Sequence, residues 1–174
     1  RADTLSCTVD MRSAETLSLD LRAASEPKKT VLFARTDADV VLAWGLIDDD
    51  RVWDEDAQTL SLTAKGVWSS YFGRALIGPA TALTADLVVG GVANPALDTL
   101  ITGYGLGTIG KKLVEQRLTW PGSPTFILPP DEVADNYNEY PFANLRFVGD
   151  ALLDITNREN GVDFAFDARR ASNN

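Results

Sequence analysis

Histidine is absent from this chain of 174 residues, and cysteine and methionine occur once each. Without an imidazole, Ser-His-Asp and Cys-His relays are excluded, and ordinary zinc sites lose their commonest ligand. Cys7 stands alone, so no intrachain disulfide can form, and cysteine usage leaves the redox compartment open. With no basic cluster around it to stabilise a thiolate, Cys7 reads as a small buried apolar residue.

Positive charge is scarce as well. Lys and Arg number 16 against 25 Asp and Glu, a formal charge of −9, which favours solubility and withholds the basic footprint that a phosphate backbone requires. No specific nucleic-acid binding is expected. The longest apolar runs, Ala38 to Ile47 with its Asp39 and Ala85 to Ala93 with its Asp86, fall well short of the roughly 20 residues that cross a bilayer. No basic-then-apolar leader opens the chain. It starts at Arg1 rather than methionine, with alternation under way by Leu5, and this raises the expectation of a segment taken from a longer polypeptide.

What is present, up to about residue 75, is period-two alternation in short runs divided by turn residues, the pattern of half-buried strands. Leu5, Cys7, Val9 and Met11 share one face, as do Leu17, Leu19 and Leu21. After a turn at Glu26-Pro27-Lys28-Lys29 come "TVLFAR" and the most apolar run, "DVVLAWGLI", where Gly45 marks a bulge or a close backbone approach. Leu60, Leu62 and Ala64 close the series. The acidic stretch Asp48 to Asp56, interrupted by Val52 and Trp53, then becomes a connecting loop. The fold class expected is α+β, with a small antiparallel β-barrel or sandwich first and an α/β part after it.

Beyond residue 66 the spacing changes. Val67, Tyr71 and Phe72 predict a short helix leading into an extended Arg74-Ala75-Leu76-Ile77. Asn94 and Pro95 have the chemistry of a helix start, predicting a helix over 95–104 with Leu97, Leu100, Ile101 and Tyr104 buried. The run from Lys111 to Trp120 suits strand or helix. Residues 121–143 hold five prolines and read as an irregular arm. Leu145, Val148, Leu152 and Ile155 predict a last helix over 144–160, with Gly161 as its left-handed stop and a final strand through Val162, Phe164 and Phe166. The domains expected are therefore 1–78 and 79–174.

Three motifs bear on chemistry. Gly105, Gly107 and Gly110 match G-x-G-x-x-G, but a dinucleotide loop needs a strand before the glycines and a helix after them. With a helix expected over 95–104 the order is reversed, and a connector is the plainer reading, with nucleotide binding a weak alternative. Asp48, Asp49, Asp50, Asp54, Glu55 and Asp56 surround Trp53, and two carboxylates beside an aromatic platform are all that a glycosidase requires. A solvated acidic turn that guards a hairpin edge needs no such role. The stretch also lacks the central glycine of a calcium-binding EF-hand loop. Trp44 and Trp68 are assigned to packing, and Trp53, out in the loop, to an exposed contact.

The order Trp44-Gly45-Leu46-Ile47, Ala64-Lys65-Gly66, Tyr71 and Arg74-Ala75-Leu76-Ile77 resembles the minor tail proteins and baseplate hub proteins of long-tailed phages of actinobacteria and related bacteria. The helix at 95–104, Tyr140, Val148 to Ile155 and Gly161-Val162-Asp163-Phe164 extend that likeness over nearly the whole chain. The resemblance implies small β-barrels carrying an inserted α/β part, assembled as a ring of three around the tail axis and joining tail tube to tip. It also implies neighbouring tail proteins, such as those of the tail tube, distal tail and tape measure, as partners, and the virion as location. Family members are usually longer.

The function expected is structural assembly, with no enzymatic activity, cofactor or metal. Residues expected to carry it are Trp53, Tyr137 and Tyr140 at contacts between chains. The core is expected to hold Leu19, Leu21, Trp44, Ile47, Leu60, Leu62, Tyr71, Leu100, Val148, Leu152, Ile155 and Phe164, and the family-motif packing positions add Gly45, Arg74 and Gly161. The alternative is a module that binds or cleaves cell-wall glycans through the acidic loop around Trp53.

Overall fold

The computed structural model describes residues 4–12, 31–35, 41–47, 51–123 and 125–166. The strand expected at Leu17, Leu19 and Leu21, the acids Asp48 to Asp50 and the side chain of Trp44 lie outside that description. The protein is α+β, built on antiparallel sheets. It divides into two compact units: one takes the chain as far as Tyr71 and takes it up again from Phe166, and the other is Phe72–Ala165. Sequence spacing places that break at 78. The crossing falls earlier because Phe72, Ala75 and Ile77 are buried in the second unit, where the Ile77 amide donates to the Arg146 carbonyl at 2.9 Å and Leu76 bridges Phe147.

In the first unit, strand β5 (Thr59–Lys65) is the centre of a five-stranded sheet. Along one edge it pairs over its whole length with β1 (Thr4–Asp10). Its other edge is shared: β4 (Val52–Asp54) pairs with Thr59 to Ser61, and the end of β3 (Val41–Ile47) pairs with Ala64 and Lys65. From there β3 pairs outward with β2 (Val31–Arg35). Among the described residues the sheet does not close into a barrel. The period-two pattern works as the sequence implies. Directly paired residues share a face, so Leu5, Cys7 and Val9 lie beside Ala64, Leu62 and Leu60, with Ile47 next to Ala64. Ile47, Leu60, Leu62 and Ala64 are buried, with Leu5, Cys7 and Met11 half-buried against them. Full burial of a side chain such as Leu62 stabilises the fold by about 1.5–3 kcal/mol. Gly45 is required by the sharing of that edge. A Cβ there would stand 2.6 Å from the Lys65 carbonyl oxygen, so any side chain would force β3 off β5.

A single helical turn, α1 (Val67–Ser70), follows β5 and buries Val67. Trp68 packs at a tilt on Phe166, ring centres 6.1 Å apart, and Tyr71 is half-buried.

The second unit contains the main helices, α2 (Leu106–Leu118) and α3 (Val148–Thr156). Ile109, Leu113 and Val114 of α2 and Val148, Ala151, Leu152 and Ile155 of α3 are buried, together with Phe72, whose ring tilts against Phe126. Two antiparallel pairs belong to the same unit: the hairpin of β6 (Val88–Val89) with β7 (Val92–Ala93), and β8 (Thr99–Tyr104) with β9 (Val133–Tyr140), between which the chain runs through α2.

Several expectations are corrected here. The helix predicted over 95–104 stops after one 3₁₀ turn, Pro95–Leu97, and the chain enters β8. The Asn94 side chain does cap that turn, accepting from the Ala96 amide at 3.0 Å. Thr99, Ile101 and Thr102 are β-branched and favour a pleated strand, which turns Leu100 outward to 61% exposure while Ile101 is buried. The irregular arm holds β9 over Val133–Tyr140, a strand without the usual alternation because its inward face carries Asn136 and Asn138 while Val133 and Tyr137 are exposed. The last helix covers 148–156 rather than 144–160. Asn160, not Gly161, is the left-handed residue after it, with φ 57°. Gly161 is needed for room, since a Cβ there would collide with the carbonyls of Ile155 and Thr156. Residues 161–166 form no strand, although Val162, Phe164 and Phe166 keep their alternating half-burial. Arg74, expected among the packing residues, is exposed between buried neighbours.

Candidate interaction surfaces

The glycine motif starts at Gly105, between β8 and α2, and continues into the helix with Gly107 and Gly110, so a strand does precede it and a helix does follow. Its surroundings settle its use. The Gly105 amide donates to the Glu132 carbonyl at 2.8 Å, and the Glu132 amide donates to Thr108 Oγ1 at 2.7 Å. Lys111 Nζ donates to the Pro129 carbonyl at 3.0 Å and pairs with Asp131, while Lys112 bridges Asp131 at 2.9 Å and Glu115 at 3.0 Å. Hydrogen bonds from Lys111 and Lys112 hold the Asp131 carboxyl below the usual carboxylate range. The Gly105 amide and both lysine ammonium groups, on which a pyrophosphate would draw, are engaged by the chain's own Pro129, Asp131, Glu132 and Glu115. Gly107 and Gly110 serve packing instead. Val162 lies over Gly107, and the Phe164 ring and Leu152 lie so close to Gly110 that a Cβ could not fit. Helix propensity disfavours glycine, but here the missing side chains let the returning segment approach α2, and that tertiary gain prevails.

The acidic turn after β4 is likewise occupied with local structure. Asp54 Oδ1 accepts from the Ala57 amide at 2.9 Å and closes the turn, while Asp54, Glu55 and Asp56 are all exposed. Among the described residues no group of three or more metal-ligating side chains comes together.

Trp53 lies on β4 directly opposite Leu60, and therefore on the apolar face of the sheet. Leu60 is buried, whereas Trp53 is 52% exposed, because β4 has no further strand outside it among the described residues. Val52, beside it, is exposed on the opposite face. The indole thus continues the apolar face to the outer side of β4, where no described strand pairs with the backbone edge.

Tyr137 and Tyr140 are separated by the pleat of β9. Tyr137 is 63% exposed, opposite Thr102, and its hydroxyl donates to Glu139 Oε2 at 2.8 Å. This bond to an anion raises the phenol's pKa. Tyr140, expected at a contact between chains, is instead 5% exposed and belongs to the core of the second unit. Three residues along a strand place it on the other face, opposite buried Thr99, with the Arg146 guanidinium 5.7 Å from its ring centre. Burial raises its pKa. Trp120 is an internal tryptophan too: its Nε1 donates to the Gly78 carbonyl at 3.0 Å, and the Arg117 guanidinium stacks 4.4 Å from its ring.

The most conspicuous apolar surface was missed in the sequence reading. Leu87, Val88, Val89 and Val92 are each more than half exposed on the β6–β7 ribbon. Its two-residue turn is Gly90-Gly91, with φ 61° and 82°, the left-handed pair that a tight hairpin demands. A glycine pair between valine runs is the hairpin signature that marks this ribbon in the sequence.

No family model matches the chain, and no curated protein or solved structure shows significant similarity to it. Among the described residues no helix is long and apolar enough to cross a membrane.

Proposed function

We propose that this chain is a structural assembly protein of a phage or prophage tail, a minor tail or baseplate hub component that oligomerises around the tail axis and joins tube to tip without a chemical step. Its partners are other copies of itself, in a ring of three, and neighbouring tail proteins. The observation that carries this reading is the apolar margin at Val52 and Trp53, where a half-exposed indole extends a buried sheet face and the outer side of β4 meets no further strand among the described residues. Such an edge is suited to strand addition with aromatic burial. The interruption of the first unit by residues 72–165 supports the same reading, since a barrel with an inserted α/β part has this chain order. The acidic turn gives the glycan alternative little support, because its carboxylates are exposed and one of them closes the turn.

Pull-down against tail-tube and distal-tail proteins, with sedimentation of the chain alone, tests the proposal. Partner capture is expected and should weaken by tenfold or more in Trp53→Ala, the scale of a central aromatic anchor. Absence of any tail partner, or release of reducing ends from cell-wall glycan that Asp54→Asn abolishes, would sink it.

A further inference from the structure

The turn that ends α3 carries a dipeptide with chemistry of its own. Asn160 is the one asparagine of the chain that glycine follows. An asparagine side-chain carbonyl can close a five-membered ring onto the next residue's backbone nitrogen, and a side chain on that next residue hinders the approach; Gly161 has none. Asn160 is exposed and left-handed, with φ 57°, a conformation that asparagine tolerates better than most residues. Exposure lets ammonia leave and water enter. One bond restrains the reaction, since the Gly161 amide donates to the Arg158 carbonyl at 2.8 Å and must be released before its nitrogen can attack. Arg158, Glu159 and Asn160 are all exposed, and hydrogen bonds at an exposed helix end are among the first that a protein opens. Once freed, the Gly161 nitrogen bonds to Asn160 Cγ, the Cγ–Nδ2 bond breaks, and the side-chain nitrogen leaves as ammonia with the proton that Gly161 gave up. Water then opens the succinimide at either carbonyl. Opening at Cγ leaves aspartate; opening at the main-chain carbonyl leaves isoaspartate, whose main chain runs through Cβ and Cγ and is longer by one methylene.

The surroundings give that methylene a consequence. A longer main chain displaces Gly161, which is packed so tightly on the carbonyl oxygens of Ile155 and Thr156 that even a Cβ would collide with them. The segment beyond it is held in register at three points. Thr156 Oγ1 donates to the Val162 carbonyl at 2.9 Å, Val162 lies over Gly107, and the Phe164 ring takes the space of the side chain that Gly110 lacks. All three depend on the length of chain between α3 and Phe164. Both products also place a new carboxylate at the C-terminal end of α3, the negative end of its dipole, between Glu159 and Asp163 in the sequence. Aspartate brings the charge alone, and isoaspartate brings the charge and the added length.

We propose that Asn160–Gly161 is a self-modifying site, where deamidation through a succinimide to isoaspartate releases the Val162 to Phe164 segment from α2. This inference is independent of the tail-assembly reading. The whole chain, aged in mildly alkaline buffer at physiological temperature, is followed by peptide mass spectrometry, by enzymatic methyl labelling of isoaspartate and by hydrogen exchange. Asn160 should convert ahead of Asn136, Asn138, Asn144 and Asn157, none of which glycine follows. In the isoaspartate fraction the Gly110 and Ile155 amides should exchange roughly tenfold faster, the scale of an overpacked contact. Asn160→Gly, which accepts the left-handed φ and has no amide to lose, should keep its protection through the same ageing. Fresh Asn160→Asp separates charge from length and should loosen those amides less than isoaspartate does. Conversion at Asn160 no faster than at the other asparagines, or only after unfolding in urea, overturns the site. Isoaspartate at Asn160 with Gly110 and Ile155 as protected as before overturns the release, and so does equal loosening in fresh Asn160→Asp.

Discussion

The first unit shelters its apolar residues on one face of a sheet, while the second encloses them between two helices and the segments that return across them. Along β5 the burial is graded, from Ala64 at one end to Leu60 at the other, with Trp53 half out of the core at the last strand. In the second unit Ile109, Leu113, Ala151, Leu152 and Ile155 are completely enclosed. A sheet face ends wherever its strands end, so it leaves a margin, whereas the facing stripes of the two helices are closed off. The second unit also exposes apolar side chains, on the β6–β7 ribbon and at Leu100, Ile127, Val133 and Leu153.

Truncation sharpens this contrast most. Leu152→Ala removes a side chain from a closed environment touched by Gly110 and Phe164 and should cost about 3–5 kcal/mol, whereas Leu62→Ala, on a one-sided face with room to relax, should cost about 2–3 kcal/mol. Urea unfolding of both variants measures the difference, and equal losses would erase the distinction between open and closed cores.

A smaller effect tests the shared edge of β5. Gly45→Val sets a side chain against the Lys65 backbone and should cost about 1–3 kcal/mol through overpacking. Loosened β3–β5 amides in hydrogen exchange are the expected signature; protection unchanged at Ala64 and Lys65 would mean that the strands do not rely on the close approach.

The smallest effect concerns the half-buried ion pairs that tie residues 129–132 to α2. Asp131 is held below the ordinary value, so its contribution is present above about pH 3.9 and is lost as pH falls through its folded value. Lys111 and Lys112 are raised, chiefly by hydrogen bonds to Asp131, so theirs is present below about pH 10.4 and is lost as pH rises through their folded values. Asp131→Asn should lower the urea midpoint slightly at pH 7, and the gap should narrow as pH falls through the folded value of Asp131. A gap that persists at the acid end would show that the side chain acts through packing instead.

Much of the first unit was legible because period two in "LSCTVDMR" and "TLSLTAKG" has one physical solution, a half-buried strand, and Gly45 within an apolar run has few explanations other than a close neighbour. The second unit was less so. Asn94 and Pro95 announce a helix start correctly, yet local chemistry has no knowledge of Gln116, whose amide exchanges hydrogen bonds with Thr99, or of the β9 strand that claims residues 99–104. Tyr137 and Tyr140 look alike in a proline-rich stretch, and only the pleat of β9 separates the exposed ring from the buried one.

The sequence by itself determined the α+β class, the faces of β1 and β5, the helix at Val148 to Ile155 and the poverty of reactive groups, because these follow from periodicity and residue type. Tertiary structure decided the rest: that Gly107 and Gly110 receive Val162 and Phe164, that Asp131 and Glu132 occupy the start of α2, that Trp53 ends a core, and that a ribbon of valines is left uncovered. Each of these depends on which distant segment arrives beside a residue, and no local pattern encodes that arrival.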